Sequence, residues 1–276
     1  MSTDPKITMH DVDMSFKVSN GVVVETLRNF SLEVCGGETL ALVGPSGCGK
    51  TTILKIIGGL LTPARGGVIV AGLSPLQSRL KRTLSFMFQR PVLLPWLTVR
   101  ENVQLPASIS GNTKALEKAD SLIEFVGLSG FETAYPRQLS GGMQSRASLA
   151  RALSLNPEIL LMDEPFGALD DMTRETMQDE SLKVLESSQK TIVLVTHSID
   201  EAIYMSDRVI VLSNRPARIL LDLPIQLPEA RNWRVKDNPI FLQYRATIKE
   251  HLFESRSQGD YLARQVRGVI RHPEQV

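Results

Sequence analysis

The segment Gly44-Pro45-Ser46-Gly47-Cys48-Gly49-Lys50-Thr51-Thr52 fits the pattern G-x-x-x-x-G-K-[ST]. Its glycines let the backbone wrap closely around a phosphate, so that successive N–H groups converge on the phosphate oxygens. A helix starting near Lys50 would point its positive end at the same place. Lys50 would neutralise the β- and γ-phosphates of a nucleotide such as ATP, and the Thr51 hydroxyl is suited to ligate Mg²⁺. Further along, the apolar run 159–162 ends in Asp163 and Glu164. Asp163 fits a Mg²⁺ partner acting through water, and Glu164 a general base on an attacking water. Gln89 closes the run 84–88, and His197 the run 191–196. These residue types in this order suit hydrolysis of a nucleoside triphosphate.

The elements that must position these residues are legible around them. Leu40-Ala41-Leu42-Val43 reads as the strand feeding the phosphate loop, and residues 53–57 continue as the helix after it. Within 158–164 and 191–196, residues 159–162 and 192–195 are continuous apolar runs, the mark of strands buried on both faces of a parallel sheet. Acids at the C-terminal ends of such strands lie where open α/β sheets bind ligands. Residues 7–18 and 22–34 read as two strands joined by an Asn20-Gly21 turn. Phe16, near the end of the first, either fills core or offers adenine an aromatic platform; local sequence leaves both open. Gly66-Gly67 reads as part of a return before a short strand at 68–70.

From about residue 90 to 137 the pattern is helical. Thr98 and Glu101 have capping-box spacing, and Leu116, Ala119, Ile123 and Val126 mark one face of a second helix closed by Gly127. Ser140-Gly141-Gly142 then opens a helix through Leu153. That N-terminus can receive a phosphate, although Ser-Gly-Gly before a helix is as readily a simple capped turn. The expected fold is α/β: a P-loop NTPase with a parallel-sheet core, an N-terminal antiparallel β subdomain and an inserted helical subdomain at about 90–155.

Composition narrows the function classes. With 31 Lys+Arg against 30 Asp+Glu, the 276-residue chain lacks the basic excess of a nucleic-acid binder. Its first residues lack the basic-then-apolar pattern of a signal peptide, and no run approaches the roughly 18 apolar residues of a membrane span. Two cysteines, Cys35 and Cys48, make no disulfide framework. A soluble, cytosolic protein is expected.

As an ordered set, the phosphate loop, Gln89, Leu139-Ser140-Gly141-Gly142, Ile159-Leu160-Leu161-Met162-Asp163-Glu164-Pro165, Gly167-Ala168-Leu169-Asp170 and Thr196-His197 resemble the ATP-binding subunits of ABC transporters. The likeness covers about residues 7–223. It implies an ATPase working as a pair, each ATP held between the phosphate loop of one copy and Ser140-Gly141-Gly142 of the other. It also implies roles: Phe16 as adenine platform, Gln89 as sensor of the γ-phosphate and Mg²⁺, Glu164 as catalytic base, His197 as γ-phosphate switch, and Asp170 as a contact across the dimer. Residues 90–99, Met143, Thr173-Arg174 and residues 197–202 look like the nitrate, sulfonate and taurine importer group. That likeness implies integral membrane permease subunits as partners, a separate solute-binding protein, and a peripheral position on the cytoplasmic face of the inner membrane. One departure is Gln144-Ser145, where Arg-Gln is more usual.

Residues 1–228 are thus expected to form the ATP-binding domain and 229–276 a C-terminal helical extension. In the extension Asn238 would cap a helix with Pro239 at its first position, and Phe241, Tyr244, Ile248 and Leu252 mark an apolar face. Packing against the body is its expected role, with an interaction arm as the alternative. The competing function is a soluble ABC-type ATPase acting on nucleic acid or ribosomes. Such proteins usually carry paired ATP domains or long coiled-coil insertions, and this chain has neither.

Overall fold

The computed structural model describes residues 4–17, 21–167, 169–227 and 231–253. Asn20 of the expected turn, Ala168, the extension's first residues 229–230 and the tail from 254 lie outside the described residues. One sheet has three strands: β1 (Pro5–Lys17) runs antiparallel between β2 (Val23–Cys35) and β4 (Arg65–Val70). The other has six, in the order β5 (Leu84–Met87), β6 (Ile159–Asp163), β7 (Thr191–Val195), β3 (Thr39–Val43), β8 (Arg208–Leu212), β9 (Ile219–Pro224). All neighbours in it are parallel except β9, which lies antiparallel on the edge beside β8.

The larger sheet is covered on both faces, as the apolar runs require. Successive side chains of a strand point to opposite faces. Leu40 and Leu42 of β3 join a core with Ile7, Leu27, Ile53 and Leu54, beneath the antiparallel sheet and α1 (Lys50–Ile57). Ala41 and Val43 join the larger core on the other face, with Val103, Leu149 and Ile203. Every residue of β6 and β7 is buried.

Residues 90–137 contain no strand, as expected. Thr98 caps α3 (Val99–Ser110) with the full capping box to Glu101. The second helix of the sequence reading is two, α4 (Thr113–Glu117) and α5 (Ala119–Phe125), which meet at Lys118 (φ −85°, ψ −3°). Ser140 caps α6 (Gly141–Leu153). A short helix, α2 (Pro75–Leu80), escaped the sequence reading although Ser74 and Gln77 form a capping box with Pro75 at the first position. Gly66 and Gly67 sit inside β4 rather than in a return. At Gly66, with φ of 92°, a Cβ would fall 2.4 Å from the carbonyl oxygen of Asp11, so the two strands approach too closely there for any side chain.

Beyond β9, a short 3₁₀ turn (Trp233–Asp237) leads to a helix over 239–253. Asn238 Oδ1 accepts from the Ile240 N–H at 2.9 Å, the expected cap. Phe241 and Ile248 are fully buried in the larger core. Arg245 grips Asp200 with two hydrogen bonds of 2.6 and 2.8 Å. Among the described residues no helix is long and apolar enough to cross a membrane.

Candidate active site

The C-terminal ends of β3, β6 and β7 are neighbours in the sheet, so the residues that follow them emerge together. After β3 comes the phosphate loop. At Gly49 φ is 125°, and a Cβ would lie 2.9 Å from Thr26 Cγ2, so only glycine allows the turn into α1 against β2. The Ile53 N–H bonds to Gly49 O at 2.9 Å and the Cys48 N–H to Pro45 O at 3.3 Å. Ser46 and Gly47 are exposed, while Pro45 and Cys48 are buried. Burial pushes the Cys48 thiol above its ordinary range, which keeps it uncharged inside the loop.

Lys50 is only 6% exposed and folds back on the loop, donating to Gly44 O at 2.7 Å and Pro45 O at 2.9 Å. The ammonium is thus held at the loop by two of its carbonyls. Thr51 and Thr52 follow on the first turn of α1. Thr51 Oγ1 donates to Asp163 Oδ1 at 3.0 Å, linking the phosphate loop to the end of β6. Burial raises the Asp163 carboxyl above the usual range, opposed by its Thr51 hydrogen bond.

Glu164 has φ of 47°, a left-handed conformation that costs a non-glycine residue roughly 1–3 kcal/mol. It is held there from both sides: its N–H donates to Val195 O at 2.8 Å, and its carbonyl accepts from the Gly167 N–H at 3.1 Å. The strained turn brings its carboxylate to Gln89 and His197. Gln89 Nε2 donates to Glu164 Oε2 at 2.8 Å, and His197 Nδ1 lies 3.4 Å from the same oxygen. The His197 side chain is 64% exposed and that of Glu164 is 24% exposed, so solvent reaches the cluster. Three residues drawn from three strand ends thus meet at one carboxylate oxygen.

The oxygens here fit Mg²⁺. Thr51 and Asp163 supply adjacent hard donors, and Gln89 has its amide Oε1 besides. Mg²⁺ in nucleotide sites takes few protein ligands, its remaining positions going to phosphates and water. Among the described residues no group of three or more His, Cys, Asp or Glu offers an all-protein metal site.

The other expected residues are placed elsewhere in the chain. Phe16 is 38% exposed on β1, so part of its ring is open to solvent. Ser140 is exposed at the start of α6, its hydroxyl oxygen accepting from the Met143 N–H at 3.3 Å. Among the described residues no hydrogen bond joins Ser140-Gly141-Gly142 to the phosphate loop. Behind it, Gln144 Nε2 donates to Pro136 O and Leu139 O, and Ser145 is buried. In this chain Gln144 braces the turn before α6. Asp170 caps α7 (Asp171–Ser188), accepting from the Thr173 N–H at 3.1 Å, and its bonding to Thr173 holds its carboxyl below the ordinary range.

One carboxyl was overlooked. Glu201, in the first turn of α8 (Ile199–Met205), is 3% exposed. The sequence offers only a weak signal for it, an acid three residues after the capping Ser198.

The model for the ABC transporter family matches residues 27–167. An uncharacterized ABC transporter ATP-binding protein of Methanocaldococcus jannaschii is 47% identical over 83% of this chain and 85% of its own length. An aliphatic sulfonates import ATP-binding protein of Bacillus subtilis is 44% identical over 80% of this chain and 85% of that protein. A taurine import ATP-binding protein of Roseobacter denitrificans is 42% identical, with coverage of 77% and 80%. Among solved structures, a dimeric ATP-binding cassette in a post-hydrolysis state with ADP and Pi superimposes with a TM-score of 0.70 at 31% identity, covering 80% of this chain and 99% of that one. Fold, ordered motifs and relatives spanning most of its length agree: the chain belongs to the ATP-binding subunits of ABC transporters and is an ATPase.

Proposed function

We propose that the chain is the motor subunit of an importer for a small anion, a sulfonate, taurine, nitrate or a related solute. The observation that carries the hydrolytic half is the meeting of Gln89, Glu164 and His197 at one oxygen beside the phosphate loop. The loop from Gly44 to Thr52 holds the phosphates of ATP, with Lys50 turning from the carbonyls of Gly44 and Pro45 to the β/γ-phosphates. Phe16, half-exposed, stacks on adenine. Glu164 orients and deprotonates water. Gln89 and His197 make its position depend on the γ-phosphate. Thr51, Asp163 and Gln89 would hold Mg²⁺, which when bound supplies charge neutralisation on the phosphates.

Ser140 and Gly141 stand exposed at the start of α6, with Gly142 buried behind them, and the three serve the ATP of a second copy, with Asp170 meeting that copy. Such a shared site makes closure depend on ATP, and differential affinity for the closed pair drives the membrane partner. The surface offered to permease subunits is the turn before α3. Buried Asn102 clamps it through Leu94, Leu97 and Thr98, leaving Val92 at 52% and Trp96 at 67% exposure. The subunit then sits peripherally on the cytoplasmic face of the inner membrane, fed by a solute-binding protein, with no role for nucleic acid. Residues 1–228 form the ATP-binding domain in this reading and 229–276 an extension.

The import reading is tested by growth. A strain lacking this chain should fail on taurine or an aliphatic sulfonate as sole sulfur source, or on nitrate as sole nitrogen source. The wild-type chain should restore growth, and Glu164→Gln should not. Undiminished growth on all three would overturn the assignment of cargo.

A further inference from the structure

Two segments that the proposed function uses, the one ending in His197 and the one ending in Asp170, are followed by helices α8 and α7. The buried carboxyl of Glu201 lies where those helices meet. Ser198 caps α8, and the Glu201 N–H donates to its Oγ at 3.3 Å. An acid at this position ordinarily reaches back to the capping residue's own N–H. Here that N–H donates instead to Thr196 Oγ1 at 3.0 Å, and the Glu201 side chain turns inward. Its Oε2 accepts from Gln178 Nε2 of α7 over a long 3.4 Å. Its Oε1 is buried without a hydrogen-bond partner among the described residues.

The surroundings explain what such a carboxyl could control. Arg174, one turn before Gln178 on α7, donates to Phe166 O at 3.3 Å and to Leu169 O, and so braces the backbone that leads to Asp170. Thr196, 1% exposed, precedes His197 directly, and its N–H bonds to Leu42 O at the end of β3. The charged groups facing Glu201 are Arg174 from α7 and Glu164 from the end of β6; Lys236 reaches it only through Gln178 Oε1, at 3.5 Å. Asp200, on its own helix, is engaged by Arg245.

We propose that Glu201 is a positioning residue that ties the His197 segment to the Asp170 segment, so that the two sides of the ATP site move together. While the carboxyl is neutral, Arg174 stays on the carbonyls of Phe166 and Leu169 and the Asp170 segment is braced. Burial pushes it up to about 7, although Thr196, Arg174 and Gln178 favour its charged form. When the proton leaves, the new charge competes for Arg174 against the carbonyls of Phe166 and Leu169. The Asp170 segment then loosens.

This inference rests on the reading of Glu164 and His197 given above, and the controls separate the two. ATPase turnover of the full-length chain is measured from pH 6 to pH 8.5 for the wild type and Glu201→Gln, which is neutral throughout. If only the protonated form is competent, its population falls about tenfold between pH 6 and pH 8. The ratio of wild-type to variant kcat should fall by about that factor between pH 6 and pH 8 while KM for ATP stays the same in both. Gln178→Met removes a partner that favours ionisation, so the wild-type limb should move to higher pH. Superimposable wild-type and Glu201→Gln profiles, or a Gln178→Met limb that stays in place, would overturn the proposal. If Glu201→Gln fails to fold, the direction of the Gln178→Met shift decides alone. Wild-type turnover in Glu164→Gln would instead overturn the underlying site, whatever Glu201 does.

Discussion

Replacing Glu164 by Gln separates binding from chemistry. The amide has the shape of the carboxylate, keeps an oxygen to accept from Gln89 Nε2, and leaves the backbone bonds to Val195 and Gly167 untouched. What it loses is the basic lone pair. General-base removal costs about 10²–10⁴ in rate, which is roughly 3–5 kcal/mol of barrier. ATP affinity should hold, because in the proposed site Lys50 and the loop N–H groups would grip the phosphates, and Lys50 bonds to loop carbonyls rather than to Glu164. The intact γ-phosphate then stays in place, and the Ser140 end of a second copy can close on it without release. Light scattering should give a dimer of the variant in MgATP and a monomer in MgADP. Adding Ser140→Arg should abolish the dimer by placing bulk and charge where a phosphate must sit. The monomer should survive that change, since losing a helix cap costs only about 1 kcal/mol and Ser140 is exposed. Hydrolysis at the wild-type rate in Glu164→Gln would refute the catalytic role. A dimer that persists with Ser140→Arg would refute the shared site.

Lys50→Ala should lower ATP affinity steeply by calorimetry while the fold persists, since the lost bonds run to two loop carbonyls; unchanged affinity would remove the loop from the site. Phe16→Ala should weaken ATP binding by about 1–3 kcal/mol, the usual worth of base stacking, and Phe16→Tyr should not. Because Phe16 is 38% exposed, neither change should move the melting temperature much; a large drop with affinity intact would assign Phe16 to packing. Phe241→Ala, in the extension, should cost about 3–5 kcal/mol in denaturant unfolding, the range for truncating a buried Phe, and an exposed-site effect under about 1 kcal/mol would contradict its burial.

Much of the site was legible because its signals are local. A glycine pattern between an apolar run and a helix names a phosphate loop without knowledge of the rest of the chain. Acids at the end of a run buried on both faces can face only one edge of a sheet. Phe16 resisted the same approach. Met14 and Phe16 alternate correctly for a core-facing strand, yet Met14 is buried and Phe16 is not. Whether the core reaches a strand's end depends on what stacks above it, and β1 also shifts register between Met14 and Ser15. The apolar face Leu116, Ala119, Ile123 and Val126 reads as one helix closed by Gly127, and nothing in that spacing marks Lys118 as a break. Glu201 was hidden for a further reason. An acid three residues beyond a capping serine is the ordinary sign of an exposed helix start, and local rules assign it there. Only the Thr196 hydroxyl, by taking the N–H that Glu201 would have served, releases its side chain to turn inward toward α7. The competition is between two acceptors for one donor, and its outcome depends on the strand that delivers Thr196 as well as on the helix. Residues of this kind, locally ordinary and tertiary in effect, can join one half of a site to the other with no role legible in the local pattern.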